Sequence, residues 1–478
     1  MAAPLLLALA AGCGGEAGAR SADAGPASPS PGAAPGAADT VPRGDAVTGR
    51  DTALVRAARA VLRAVERESG LSLERPLAVA RTGSDRLRAY LLDQLHEDLP
   101  AARARAVTDA YARFGLVPDS LDLAGLMRQL YLEQVVGYYD PKRDTLYVRE
   151  GVSEEEFEPV LVHEMTHALQ DEHMDLDSLM RAREDDNDAG AAARAALEGQ
   201  ATFVMLEWQL RKTVGTGADL TRIPELGQLL QNADVLSAGV GDMPVLSGAP
   251  PLIQQSLLFP YLDGLTFVQA YWRARPGRPA PLGSDLPAST EQVMHPGRFL
   301  SSPRDAPTRV VFTSDSAAPV SGWSLIEEDD LGEFETRFYL RTFLGDTARA
   351  RSASTGWDGD RYRLLRRCGD GAGAGREGGP RAGRTCPEAL VWASVWDDPD
   401  DADAFAAAGR EAIAARYGDG AVGAAAGAGD TLRLGGRRIE VRRGTTDGRP
   451  TVLVLDLPRG ADPTSVAAAA RFRLVGGS

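Results

Sequence analysis

The stretch HEMTHALQDEH, residues 163–173, holds three of the chain's five histidines. His163 and His167 are four residues apart, with Glu164 directly after the first. An α-helix has about 3.6 residues per turn, so two side chains at this spacing lie on one face and can bind one metal ion. Glu164 lies about 100° further round the helix, beside the ion rather than on it. This is the HExxH spacing of zinc hydrolases, in which the glutamate acts as the general base.

A third ligand would complete such a site, and His173 is the first candidate. In the metzincin pattern, a glycine three residues after the second histidine ends the helix and lets the chain fold a third histidine back. Gln170 occupies that position here, and its neighbours are good helix formers. A continuous helix places His173 about 9 Å along the axis from His167 and about 120° off its face. We therefore expect His173 to lie outside the set of ligands.

Glu198, in ALEGQATF, is the better candidate. It lies on a second predicted helix, and its carboxylate would complete a His₂Glu zinc site with the fourth position open to water. Gly199 would let this helix approach the HExxH helix closely. Thr202 is one turn further along and is predicted to hydrogen-bond a ligand. Glu207, on the same helix, is the alternative to Glu198.

HEMTHALQDEH and ALEGQATF resemble the gluzincin group of zinc metallopeptidases, in which HExxH is followed by a glutamate on a second helix. With GYYDPKRDTLYV, FPYLDGLTFV and PASTEQVMHP, they also resemble a group of largely uncharacterised bacterial lipoprotein-like metallopeptidases. That resemblance covers roughly residues 130–300. The chain departs from the thermolysin-like Glu-x-x-x-Asp pattern, because Thr202 stands where the aspartate would be.

The resemblance implies hydrolysis of peptide bonds with Zn²⁺ as the cofactor and Glu164 as the general base. It also implies a histidine or tyrosine near the metal that stabilises the oxyanion. Candidates for this role are His295, in STEQVMHP, and Tyr138 or Tyr139, in a predicted hairpin. A structural role for His295 stays open. The hairpin strand could also hold an extended substrate by strand addition.

The N-terminus predicts export. MAAPLLLALAAGCGG has a short apolar run that ends in small residues, as in a secretory signal. The residues that lead to Cys13 resemble the lipobox of bacterial lipoproteins, whose cysteine is acylated after cleavage. We therefore expect a signal over residues 1–13 and a disordered Ala/Gly/Pro/Ser-rich tether over residues 14–50. The expected location is the cell envelope of a bacterium; the alternative is a plain cleaved signal.

Charge and hydropathy limit the partners. The net charge of the 478 residues is −15, and no cluster of Lys and Arg suits nucleic acid or an anionic lipid surface. No apolar run after the signal is long enough to span a bilayer. We expect a protein or peptide substrate, no nucleic acid, and contact with a membrane only through the lipid anchor.

The periodicity of apolar residues predicts an α+β fold. Residues 51–304 indicate a mainly helical, zincin-like metallopeptidase domain with a β-hairpin at residues 135–151. Residues 175–190 are predicted to be a connection, and Pro260 is predicted to break one apolar stretch into two packed helices. Residues 305–478 hold short β-like runs and one clear helix, which indicates a smaller α/β accessory domain.

Cys368 and Cys386 are predicted to form a disulfide, because a pair of cysteines in an exported chain favours a bridge. They lie in the C-terminal region, far along the chain from the HExxH stretch. That region carries no catalytic constellation, so it is predicted to have a structural or partner-binding role.

Three functions remain compatible with these features. The first is an envelope-anchored zinc metallopeptidase. The second is a non-catalytic binding or assembly lipoprotein on a zincin fold, which would not need Glu164. The third is a zinc amidase that acts on cell-wall crosslinks, and the sequence does not separate it from the first.

Overall fold

The computed structural model describes residues 46–134, 136–215, 217–224, 226–227, 229, 243–314, 322–368, 386–418 and 431–476. Within them the fold is α+β, as predicted. The predicted signal, Cys13 and most of the predicted tether lie outside the described residues. Among the helices of the described ranges, none combines the length and the apolar character that crossing a membrane requires.

The first part of the chain is mainly helical and contains a small sheet. Its elements are β1 (Val47–Thr48), α1 (Thr52–Ser69), β2 (Leu77–Thr82), α2 (Ser84–Asp98), α3 (Ala101–Phe114), α4 (Leu123–Gln134), β3 (Gly137–Asp140), β4 (Thr145–Arg149), α5 (Glu154–His173), α6 (Leu176–Arg181), α7 (Asn187–Val214), α8 (Pro244–Gly248), α9 (Pro251–Ala274), α10 (Thr290–Met294) and α11 (Pro296–Leu300).

Strands β1 to β4 form one sheet in the order β1-β2-β4-β3, which leaves β3 at an edge. The predicted hairpin is the antiparallel pair β3–β4, in which Tyr139 lies opposite Leu146. Tyr139, Leu146, Leu161 and Met165 belong to one apolar core that joins the sheet to α5. The edge strand β3 therefore lies against the helix that carries HExxH.

Helix α5 begins with a capping box. The Ser153 hydroxyl accepts from the Glu156 N–H, and the Glu156 carboxylate accepts from the Ser153 N–H. These bonds satisfy backbone donors that a helix start leaves free, and the acidic first turn suits the helix dipole. The helix continues without a break through Gln170 to His173, as predicted.

Two predictions about helix boundaries within residues 51–304 are wrong. In the described part of residues 305–478 the structure has three α-helices where the sequence predicted one. Residues 175–190 are not a plain connection, because they contain α6, capped by Asp175, and the start of α7. Pro260 does not split α9, which runs as one helix from Pro251 to Ala274. A proline inside a helix costs about 3 kcal/mol. Both neighbours of Pro260 are buried in the core, and packing of this kind outweighs that local cost.

The C-terminal part is built on a six-stranded antiparallel sheet. Its elements are β5 (Arg309–Phe312), β6 (Ser324–Asp329), α12 (Gly332–Leu344), α13 (Thr347–Ser354), β7 (Trp357–Arg366), β8 (Glu388–Trp396), α14 (Pro399–Tyr417), β9 (Thr431–Leu434), β10 (Arg437–Thr446), β11 (Arg449–Pro458) and β12 (Phe472–Val475). The strand order is β6-β7-β8-β11-β10-β9, and β5 pairs with β12. One core cluster packs α12, α13 and α14 against the sheet.

That core also contains residues from the first part of the chain. Phe114, at the end of α3, packs edge-on against Tyr362 and Trp392 of the sheet. Arg103, on the same helix, forms an ion pair with Asp329 at 2.9 Å. The hydrophobic core thus crosses the predicted boundary between residues 304 and 305.

The predicted disulfide between Cys368 and Cys386 is present. Cys368 follows β7 and Cys386 precedes β8, so the bridge joins the ends of two neighbouring strands. The intervening residues 369–385 lie outside the described ranges.

Candidate metal centre

Three buried side chains converge between α5 and α7. His163 Nε2 lies 3.1 Å from Glu198 Oε2, and His167 Nε2 lies 3.3 Å from the same oxygen. The two Nε2 atoms are 3.0 Å apart. Each residue therefore offers one nitrogen or oxygen to a common point that could hold a metal ion.

The geometry of this triangle fits zinc. Zn²⁺ binds imidazole nitrogen and carboxylate oxygen at about 2.0–2.2 Å in a tetrahedral arrangement, which places neighbouring ligand atoms about 3.3 Å apart. The three separations between the ligand atoms of His163, His167 and Glu198 are 3.0, 3.1 and 3.3 Å. The donor set, two imidazoles and one carboxylate, is one that zinc hydrolases use while keeping a fourth position open.

Burial and mutual charge shift the pKa values of the three residues. Burial lowers the pKa of His163 to about 4, so its ring is neutral. Burial also acts to lower the pKa of His167, but the charge of Glu198 outweighs it and raises that pKa to about 9. Burial acts to raise the pKa of Glu198, yet the two histidines hold it well below its usual range. A metal ion needs the neutral imidazole and the carboxylate, and its binding would release the proton of His167.

Helix α7 carries Glu198, and a close helix crossing fixes its position. At this crossing Gly199 faces Gly264 of α9, and a Cβ atom on Gly199 would lie 2.2 Å from the carbonyl carbon of Gly264. A Cβ atom on Gly264 would lie 2.1 Å from the carbonyl oxygen of Ala195. Gly199 was predicted to permit close approach to the HExxH helix; its close neighbour is instead α9.

We predict that Gly264→Ala destabilises the protein by about 1–3 kcal/mol, because an added methyl group has only backbone atoms to displace at this crossing. Urea unfolding followed by circular dichroism would measure the loss. The matched control is Gly297→Ala, in α11, where a Cβ atom meets nothing within 4 Å. Equal stability of the two variants would contradict the prediction.

Gln170 orients His167 from the side away from the triangle. Its Oε1 lies 2.8 Å from His167 Nδ1, and its Nε2 donates to the Leu197 carbonyl and to Gln200 Oε1. The Nδ1–H of His167 therefore donates to Gln170, which leaves the Nε2 lone pair for a metal. The sequence did not predict this role for Gln170, and its one signal is an amide three residues after a ligand histidine.

Glu164 lies beside the triangle and is held by the edge strand. Its Oε2 accepts a hydrogen bond from the Tyr139 N–H at 3.0 Å. Its Oε1 is buried and has no hydrogen-bond partner within the described ranges. Burial, together with the charge of Glu198, raises the pKa of Glu164 to about 8. One oxygen is thus fixed by the backbone, and the other is available to a substrate or a water molecule.

The three candidates for an oxyanion stabiliser have other partners. His295 Nε2 lies 3.0 Å from Glu333 Oε2, on α12, and pairs with none of the three metal-ligand candidates. The ring of Tyr138 stacks between those of Tyr90 and Tyr147. The hydroxyl of Tyr139 donates to carboxylates outside the triangle, and only its backbone N–H serves the site. These three predictions of a catalytic side chain are not supported.

The remaining predictions are resolved by individual contacts. His173 Nδ1 lies 2.9 Å from the Leu169 carbonyl and its Nε2 lies 3.6 Å from Glu74 Oε1, so this ring lies outside the triangle, as expected. Thr202 is buried, but its hydroxyl makes no hydrogen bond to the described residues, so the predicted bond to a ligand is not formed. Glu207 pairs with Arg211 and is not an alternative ligand.

Tyr261 is the tyrosine that the structure brings to the triangle. Its ring lies nearly parallel to that of His163, with centroids 6.4 Å apart. Burial raises the pKa of its hydroxyl well above the usual value, and the charges of Glu198 and Glu164 add to this effect. The hydroxyl therefore keeps its proton, in the electrostatic field of both carboxylates. FPYLDGLTFV contains this residue. Because the sequence predicted that the helix breaks at Pro260, it did not predict that Tyr261 lies beside the triangle.

Comparisons with known proteins cover only the C-terminal part. Residues 319–467 match a domain of unknown function, DUF8575. No curated protein and no solved structure matches the chain. The matched segment begins after α11, so the triangle of His163, His167 and Glu198 lies outside it.

Proposed function

We propose that the protein is a zinc metallopeptidase in which His163, His167 and Glu198 hold the metal. The observation that carries the proposal is the triangle of ligand atoms with separations of 3.0–3.3 Å, next to a carboxylate oxygen of Glu164 that no described residue occupies. A non-catalytic protein on this fold would not need Glu164 beside the metal-ligand candidates.

A bound Zn²⁺ would lower the pKa of a water molecule and polarise the substrate carbonyl. Glu164 would take the proton at Oε1 and later pass it to the leaving nitrogen, while the Tyr139 N–H keeps Oε2 in place. Tyr261 would donate its hydroxyl hydrogen to the negative charge that develops on the carbonyl oxygen. Gln170 would keep the ring of His167 in the tautomer that a ligand needs.

The edge strand β3 favours a peptide over other amide substrates. Its neighbour in the sheet lies on one side only, and Tyr139 on this strand reaches Glu164. The side of an edge strand that has no neighbouring strand can pair with an extended peptide backbone. All four residues of β3 are buried, so such pairing requires the segments that cover the strand to move. A peptide held there would lie next to the proposed base.

We also propose that the protein is exported and anchored through a lipid on Cys13. The lipobox-like sequence carries this proposal, and the disulfide between Cys368 and Cys386 supports an oxidising compartment. Mass spectrometry of the mature N-terminus would test it: a diacylated or triacylated Cys13 is expected, and an unmodified cleaved terminus would contradict it.

The activity is tested with the purified protein, a mixture of unfolded proteins and, separately, purified peptidoglycan. We expect cleavage of peptide bonds that a chelator abolishes and that added Zn²⁺ restores. Cleavage of peptidoglycan crosslinks alone would indicate a zinc amidase. Zinc binding with no cleavage of either substrate would indicate a binding protein.

A further inference from the structure

One charged residue interrupts the burial of helix α7. From Ala192 to Glu207 every residue of this helix is buried except Arg194, which is exposed. A helix buried on all sides has no solvated face on which a charge would ordinarily lie. Solvent therefore reaches α7 at the turn that carries Arg194.

That turn directly precedes the metal centre. Arg194 and Glu198 are four residues apart, so they lie on one face of the helix, one turn from each other. The charges of Arg194, Glu198 and Glu164 all act on the pKa of Tyr261, on α9. The exposed turn at Arg194 is thus close to both Glu198 and the phenol of Tyr261.

Arg194 has no hydrogen bond or ion pair with any residue in the described ranges. Its charge acts at longer range on Tyr131, on α4, and on Asp98, at the end of α2. Neither of these residues forms an ion pair or hydrogen bond with it. The guanidinium, which presents a fork of N–H donors suited to a carboxylate, is available to a ligand.

We infer that Arg194 binds a carboxylate of the substrate and so selects peptides with a negative charge near the cleaved bond. This inference rests on the proposed function. One helical turn is about 5.4 Å, the arginine side chain adds to that reach, and an extended peptide advances about 3.4 Å per residue, so the carboxylate lies within a few residues of that bond. The carboxylate belongs either to the C-terminus of the peptide or to an acidic side chain.

The test uses four alanine-rich hexapeptides with blocked N-termini. One pair differs only in a free or amidated C-terminus, and the other pair, amidated throughout, differs only in Glu or Gln at the penultimate position. Cleavage is measured as kcat/KM with the zinc-loaded protein. Binding is measured by calorimetry with the metal-free protein and with Glu164→Gln, which does not depend on turnover.

We expect a preference of about tenfold for the carboxylate in at least one pair, as for other charge-assisted hydrogen bonds. The pair that shows it identifies the source of the carboxylate. In Arg194→Gln the ratio within that pair should fall to about one. In Arg194→Lys the ratio should be intermediate, because lysine keeps the positive charge but lacks the forked N–H donors of the guanidinium. The control is Arg63→Gln, another exposed helical arginine, which should keep the ratio.

An unchanged ratio in Arg194→Gln, or no preference in the unaltered protein, overturns the inference and leaves the peptidase proposal standing. An Arg194-dependent preference in binding without any cleavage supports the binding of a carboxylate by Arg194 and overturns the peptidase proposal. The absence of both binding and cleavage overturns both.

Discussion

Replacement of Glu198 by alanine is expected to remove zinc from the protein while leaving it folded. The variant keeps two imidazoles on α5 and loses the carboxylate whose Oε2 lies within 3.3 Å of both of them. Loss of a ligand should exceed the roughly 10–100-fold loss of metal affinity that outer-shell partners cause. Zinc per chain should fall from one ion to near zero. It is measured by inductively coupled plasma mass spectrometry after dialysis against a weak chelator.

The control for this experiment is His173→Ala. His173 is on the same helix as His163 and His167, but its ring bonds to the Leu169 carbonyl. We expect this variant to keep one zinc ion per chain. Zinc retained by Glu198→Ala, or lost from His173→Ala, would refute the His₂Glu assignment. Circular dichroism of each variant separates loss of metal from loss of fold.

The sequence predicted the three ligand candidates because their positions follow from local rules. The spacing of His163 and His167 places both on one helical face, and a helix former at Gln170 excludes a turn that would return His173. Glu198 was a longer inference, from a carboxylate beside a glycine on a second helix. Its approach to the histidines depends on how α5 and α7 pack, and the structure brings them together.

The residues that the sequence did not predict depend on contacts between distant segments. Tyr261 reaches the triangle only because α9 continues through Pro260, and local propensity favours a break there. Gln170 acts through a chain of amide hydrogen bonds to α7, which no periodicity records. Strand β7 carries several charged residues, so apolar and polar residues alternate only weakly along it and the sequence does not indicate a strand. Its burial depends on pairing with the neighbouring strand β8, which is wholly buried.

The C-terminal part contributes to the metal centre through the start of α7. The Asn187 N–H donates to the carboxylate of Asp329, the last residue of strand β6. The Asp188 N–H donates to the carboxylate of Asp330, the next residue. These bonds fix the N-terminal end of the helix that carries Glu198. The segment matched by DUF8575 therefore holds one of the two helices of the site, even though it supplies no ligand.

Replacement of Glu164 by glutamine is expected to lower kcat on a peptide substrate by about 10²–10⁴-fold, the usual contribution of a general base. The glutamine can keep the hydrogen bond from the Tyr139 N–H through its carbonyl oxygen. Its NH₂ group then replaces Oε1, and it cannot accept a proton. We expect zinc content and folding to stay unchanged, because Glu164 is not among the three converging ligands.

The measurement is kcat at saturating peptide, with zinc per chain determined on the same sample. Glu155→Gln is the matched control, because Glu155 is exposed in the first turn of the same helix, away from the triangle. It should retain full activity. A Glu164→Gln variant that keeps its zinc and also keeps its activity would exclude Glu164 as the base. A variant that loses both would assign Glu164 to metal binding, since the same carboxylate would then be needed to hold the ion.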